Sequence, residues 1–309
     1  MTDNARMRVL VTGANGYLGG VVVEALRAGG HEVVGLVHRG RTRVPDGVPV
    51  RVADLLDAEA VSVALYGVDA VCHLAGRTRV RESFGDPLRF FEVNVGGTVS
   101  LLRAMAAAEV GKLVFASTAS IYGTPERQPM PEELPDRPPH PYAVSKQAAE
   151  SVIAAQAATG RLAAVVLRLF NIAGGADPDP TRIVPRILAV AAGDSPCLAI
   201  NGDGSAVRDY LHIDDAAAAF VAALAHLPRP GECARYNIGS GTGTSVIELV
   251  AEAVRMTGRA IPVEHLPAVA EPPRSVSDSG LARRELHWEA KSSDIATILR
   301  DGWSARSIP

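Results

Sequence analysis

Tyr142-Ala143-Val144-Ser145-Lys146 places a phenol and an ammonium four residues apart. On a helix, positions i and i+4 share one face, so both groups can point into one site. A nearby lysine cation favours the phenolate, lowering the tyrosine toward neutral pH, so Tyr142 can exchange a proton with a carbinol. The chain has only three lysines, Lys112, Lys146 and Lys291, against 28 arginines. Arginine is bulkier, planar and never usefully deprotonated, so it replaces a compact ammonium poorly. One of three lysines standing four places after a tyrosine therefore draws notice. By itself the pair remains a common spacing.

Two further patterns belong with it. Val11-Thr12-Gly13-Ala14-Asn15-Gly16-Tyr17-Leu18-Gly19 follows an apolar run and opens a helical one. Gly13 permits a tight turn, Gly16 a close approach of backbone to a pyrophosphate at the positive helix end, and Gly19 close helix–strand packing. A bare strand–turn–helix would show similar glycines. Ser117-Thr118-Ala119-Ser120 ends another apolar run. Hydroxyls there stand at the carboxyl edge of a parallel sheet, where such folds bind ligands, or simply satisfy backbone groups.

The elements that must position these groups alternate. Apolar runs at 8–11, 31–37, 50–53, 70–74, 112–116 and 164–169 read as strands. Helical spacing lies between most of them, near 17–28, 58–65, 87–108 and 142–159. Continuous apolar strands separated by helices indicate an α/β fold with a parallel sheet covered on both faces. After about residue 171 the turns become denser. The expected division is a dinucleotide-binding domain over 1–170, to which about 207–240 returns, and a mainly substrate-binding region over 171–309.

Net charge −3 leaves no basic excess for a polyanion, so no nucleic-acid partner is expected. The apolar run 216–225 is half a membrane span and reads as a buried helix, so no membrane partner is expected either. Cys72, Cys197 and Cys233 lie far apart, without metal-ligand spacing, which fits a cytoplasmic protein and no metal.

Taken together, the motifs resemble the nucleotide-sugar epimerase/dehydratase family of extended short-chain dehydrogenases/reductases, most closely its UDP-glucose 4-epimerase branch. His73-Leu74-Ala75-Gly76, Asn94-Val95-Gly96-Gly97-Thr98, Arg168-Leu169-Phe170-Asn171, Arg208-Asp209-Tyr210-Leu211-His212 and Tyr236-Asn237-Ile238-Gly239 extend the likeness over nearly the whole chain. The resemblance implies a Rossmann doubly wound sheet with a smaller C-terminal α/β region. It implies a catalytic triad of Thr118, Tyr142 and Lys146. NAD would be held by Gly13, Asn15, Gly16, Tyr17, Leu18, Gly19, His38, Arg39, Asp54 and Leu55. Leu74, Ala75, Gly76, Asn94, Ser117, Tyr142, Lys146 and Phe170 would complete that site. A nucleotide-diphosphate sugar would be held by Arg79, Thr118, Asn171, Arg208 and Arg274. A homodimer paired through helices 87–108 and 142–159 is also implied.

Some positions depart from the pattern. Val37 stands where NAD-preferring relatives place an aspartate, and Arg39, Arg41 and Arg43 could meet a 2′-phosphate or simply face water, so NADP stays open. Ala119-Ser120 replaces the acidic pair of the 4,6-dehydratases. Ala268 stands where relatives often carry an arginine, and Arg274 is the candidate to compensate. Arg77, Arg79 and Arg81 could face an anionic sugar or water. The implied reaction is 4-epimerisation through a transient 4-keto sugar. An NADPH-dependent 4-ketoreductase of a nucleotide-linked deoxysugar and a non-catalytic dinucleotide-binding module are the alternatives.

Overall fold

Strand β1 (Arg8–Thr12) runs into the glycine turn and helix α1 (Tyr17–Ala28), then β2 (Glu32–Val37) and β3 (Val50–Val52). Helix α2 (Ala58–Ala64) follows, started by Asp57, whose carboxylate accepts from the Ala60 amide. Next come β4 (Ala70–His73), α3 (Val80–Gly85) and α4 (Pro87–Phe91). A π-helical turn, Glu92–Gly96, joins α4 to α5 (Gly97–Ala107). β5 (Lys112–Thr118), a 3₁₀ turn (Ala119–Tyr122), α6 (Pro141–Gln156) and β6 (Ala163–Leu169) complete this half. These elements come from a computed structural model that describes residues 6–40, 43–269 and 271–306. Arg41, part of the basic stretch considered above, lies outside the described residues.

The second half contains β7 (Asn171–Ala173), α7 (Ile183–Ala192), β8 (Leu198–Asn201), β9 (Val207–His212), α8 (Ile213–Ala225) and β10 (Cys233–Ile238). β11 (Gly243–Ser245), α9 (Val246–Thr257), β12 (Val263–Leu266), β13 (Arg274–Ser275), α10 (Gly280–Glu285) and α11 (Ile295–Arg306) follow. Ser245 and Glu248 form a reciprocal capping box at the start of α9.

Seven parallel strands lie in the order β10-β6-β5-β4-β1-β2-β3. The chain winds outward from β1 to β3, then returns to β4 and winds the other way. That reversal opens a crevice at the carboxyl ends of β1 and β4, where Thr12 pairs in register with His73. This is the parallel sheet expected from the alternating pattern, in the doubly wound Rossmann order that the resemblance implies. Its inner strands β1, β4, β5 and β6 are mostly apolar and buried because both faces are covered. On one face, Val22, Val23 and Leu26 of α1 pack with Ala216, Phe220 and Ala223 of α8. On the other, Leu101 and Met105 of α5 pack with Ala149 and Ile153 of α6. Fully burying each large side chain contributes about 1.5–3 kcal/mol.

Of the segment 207–240, α8 and β10 belong to the large sheet and its covering layer. β9 instead centres a second sheet, with β7, β11 and β13 beside it. Val184, Ile187, Tyr210, Leu249 and Ile298 form this region's own core. Among the described residues, no helix is long and apolar enough to cross a membrane.

Candidate active site

The site is built where the sheet reverses direction. Gly13 has φ +70°, and a Cβ there would stand 3.0 Å from the Ala75 backbone. A Cβ on Gly19 would lie 2.0 Å from the Gly13 carbonyl oxygen. Both glycines are therefore dictated by close backbone packing. Gly16 caps α1 without any side-chain hydrogen bond, and the first turn carries no acid. Its amides are thus left for an anion, as a pyrophosphate site requires.

The turn is fixed from behind. The Thr12 hydroxyl oxygen accepts from the amides of Leu74 (3.1 Å) and Ala75 (3.0 Å) and lies 2.8 Å from His73 Nδ1. Thr12 must then donate to His73. His73 Nε2 donates in turn to Thr98 (3.1 Å), whose hydroxyl donates to the Asn94 carbonyl. This assigns a neutral imidazole, and burial pushes His73 down to about 3, with Lys146 adding to the effect.

Helix α6 carries Tyr142 and Lys146. Pro141 occupies its first turn, and His140 caps it by accepting from the Ala143 amide. Tyr142, Lys146, Ala149, Glu150 and Ile153 are all buried, so one stripe of the helix faces the sheet. The Lys146 ammonium lies 4.0 Å from the centre of the Phe115 ring. Burial pulls it down to about 7, with Glu150 pulling upward.

The expected lowering of Tyr142 by Lys146 is not what the structure gives. Burial raises the Tyr142 phenol, while a hydrogen bond from Thr118 and the field of Arg182 pull it down. Lys146 is itself desolvated and poised near neutrality, which weakens its claim as the sole activator. Tyr142 is therefore a protonated phenol, and Arg182 is the added cation that faces it.

One cavity of about 930 Å³ joins these parts. Gly13, Asn15, Gly16, Tyr17, Leu18, Gly19, His38, Asp54, Leu55, Leu74, Ala75 and Gly76 line one end. Ser117, Thr118, Tyr142, Lys146 and Phe170 line its middle, and Asn171 and Arg208 the far side. His38 Nε2 lies 3.1 Å from an Asp54 oxygen, bridging the ends of β2 and β3. Arg39 is exposed outside the lining, and its carbonyl accepts from Asn15. Asn94 also sits behind the wall: its carboxamide clamps both backbone groups of Arg77 and donates to Ser145. Arg79 is turned to Glu82 (3.1 Å) and Asp179 (3.4 Å), and Arg77 to Glu82 (3.0 Å). Of these loop arginines only Arg77 reaches the cavity. Arg274 lies on β13, exposed and outside the lining.

Arg208 holds Glu271 at 2.6 Å, so an anion at its guanidinium competes with that carboxylate. Arg182 and Arg186, one turn apart on and just before α7, also line the cavity and were not foreseen. Their i, i+4 spacing after the proline-rich loop was the available signal. Arg182 lies 3.4 Å from Asp177 and 5.2 Å from the Tyr17 ring centre. Among the described residues, no cluster of three or more His, Cys, Asp or Glu could hold a metal ion.

The glycine turn, the hydroxyl-bearing strand end and the Tyr–Lys helix thus meet around one cavity. The model of the NAD-dependent epimerase/dehydratase family matches residues 9–239. The chain belongs to this family. UDP-glucose 4-epimerase of Streptomyces lividans is 38% identical, covering 97% of this chain and 96% of its own. UDP-glucose 4-epimerase of Brucella ovis, solved with NAD, superposes with TM-score 0.92 at 33% identity, covering 97% of this chain and 98% of its own. The Stenotrophomonas maltophila enzyme, solved with NAD and formylated UDP-arabinopyranose, gives TM-score 0.91 at 33% identity, with the same coverage. For a member of the epimerase/dehydratase family, the uncapped α1 terminus and its two backbone-packed glycines fit a dinucleotide.

Proposed function

We propose that this chain is an NAD-dependent nucleotide-sugar 4-epimerase acting on a UDP-glucose/galactose-like substrate. The observation that carries the reading is the convergence of Thr118, Tyr142 and Lys146 on the cavity whose other end is the glycine turn. In this reading Gly13, Gly16 and Gly19 seat the pyrophosphate of NAD, while Asp54 meets the adenine. Asn171 and Arg208 grip the diphosphate of the sugar nucleotide, Arg208 through charge-assisted bonds.

Bound NAD would supply a reversible hydride acceptor for C4 and, when oxidised, a further positive charge in the site that favours the phenolate. Tyr142, as phenolate, takes the 4-hydroxyl proton as C4 loses its hydride. Thr118, through its hydrogen bond to the phenol, and Arg182, through its field, favour the phenolate, and Lys146 would hold the nicotinamide ribose. The resulting 4-keto sugar turns over while its diphosphate stays fixed. Tyr142 then returns the proton as hydride returns to the opposite face. No net oxidation occurs, so the cofactor would need no exchange between turnovers.

The 4-ketoreductase is not favoured, since the relatives named above are 4-epimerases and their structures hold NAD. Pairing as a homodimer is part of the proposal. Exposed Phe84 and Leu88, on α3 and α4, support an apolar contact there. A cytoplasmic location is proposed from three unpaired cysteines. Denaturing the purified protein and identifying released nucleotide tests the cofactor assignment. One NAD per chain is expected; an empty site that oxidises NADPH on adding a 4-keto sugar overturns it.

A further inference from the structure

Tyr142 and Lys146 begin a ladder that continues to Glu150, the next i+4 position on α6. Glu150 is buried to 3% exposure, behind the cavity rather than in its lining. Its carboxylate accepts from the Ser117 hydroxyl on β5. It accepts from Arg168 on β6, through Nε at 3.1 Å and Nη2 at 2.7 Å. Arg235 on β10 brings its Nε to 3.3 Å. Arg168, fully buried, also donates to both Asp136 oxygens at 2.7 and 3.0 Å and lies over the Tyr122 ring. Two carboxylates and two guanidiniums thus balance beneath the strand ends that carry Ser117 and Thr118.

Lys146 adds a third cation to this buried ground. No carboxylate among the described residues comes within ion-pair distance of its ammonium. The groups facing it are the Phe115 ring, neutral His73 and, one helical turn on, Glu150. Cys233 on β10 faces Glu150 from the other side, but burial pushes its thiol up to about 11, so it stays neutral. Glu150 therefore supplies the negative charge that a desolvated ammonium needs.

We propose that Glu150 is a positioning residue of the reaction, setting the charge of Lys146 and, through Ser117, the seat of Thr118 from behind the site. The proposal rests on the epimerase reading only for what Lys146 serves. Glu150 touches neither cofactor nor sugar. Its action passes through the two residues that line the cavity on either side of it.

With three lysines in the chain, lysine labelled with ¹³C at Cε gives three signals from the holoprotein. Lys146→Arg identifies one of them by its loss. In the wild type that signal titrates near neutral pH, as burial dictates. In Glu150→Gln its midpoint moves down by about one pH unit, the scale of a lost opposite charge nearby. Glu150→Asp keeps it close to wild type. The alkaline limb of kcat follows the midpoint downward in Glu150→Gln, with KM unchanged.

Glu150→Gln leaves Arg168 less fully paired and can fail to fold. Arg235→Gln removes a half-exposed cation instead and keeps Arg168 with both its carboxylates. There the midpoint moves upward. A Lys146 midpoint that stays put in every variant that folds overturns the proposal, even where activity falls. The midpoint is read whether or not any sugar is epimerised, so failure of the epimerase reading is seen separately.

Discussion

Gly19→Ala places one carbon 2.0 Å from the Gly13 carbonyl oxygen and 2.8 Å from its carbonyl carbon. Ordinary contact begins at 3.4 Å, so the backbone must part by more than 1 Å. Neither atom belongs to a flexible side chain. The turn cannot retreat, because Gly13 is already packed on Ala75, which Thr12 holds. The N-terminus of α1 must move, taking its free amides with it. Each charge-assisted bond from such an amide is worth about 1.5–3 kcal/mol. Losing two weakens NAD by about 3–6 kcal/mol, or roughly 10²–10⁴-fold. The assay is bound nucleotide per chain together with calorimetric affinity, with circular dichroism to verify the fold. Gly29→Ala is the control, since a Cβ there meets nothing nearer than 3.4 Å. A folded Gly19→Ala protein holding NAD as tightly as wild type would refute the reasoning.

Tyr142→Phe should lower kcat by at least about 10²-fold, the scale of a lost general acid/base, with NAD retained; near-wild-type turnover would contradict that role. Lys146→Arg should keep a cation and the fold yet lose most activity, because a bulkier, planar and permanently charged guanidinium replaces a compact, titratable ammonium poorly at this buried position. Stability against urea should fall with pH between 6.5 and about 3, where the unfolded chain protonates His73 and the folded chain does not. The slope from that one group is at most about 1.4 kcal/mol per pH unit. His73→Gln should flatten the slope over that window and leave it unchanged above; an identical slope would show that His73 is not held neutral.

Most of the sheet was legible because β1, β2, β4, β5 and β6 each contain an unbroken apolar run, whereas β10, with Arg235 and Asn237, contains none. The glycine turn and the Tyr142–Lys146 spacing were legible because each is set by local geometry. Which sheet β9 joins depends on its neighbours β7, β11 and β13, which come from distant parts of the chain. Arg182 and Arg186 were missed because a long loop brings them to the cavity. The direction of the phenol's shift is not legible in the sequence, which shows the lysine but not the desolvation of both groups. Glu150 could have been found by extending the Tyr–Lys ladder one step; its partners Arg168 and Arg235 could not.

The most direct test uses UDP-galactose carrying deuterium at C4, incubated with the purified protein without added cofactor. The expected product is UDP-glucose with deuterium still at C4, because the hydride leaves and returns within one closed site. Loss of the label to solvent, or no conversion by protein that holds NAD, would contradict transient oxidation at C4.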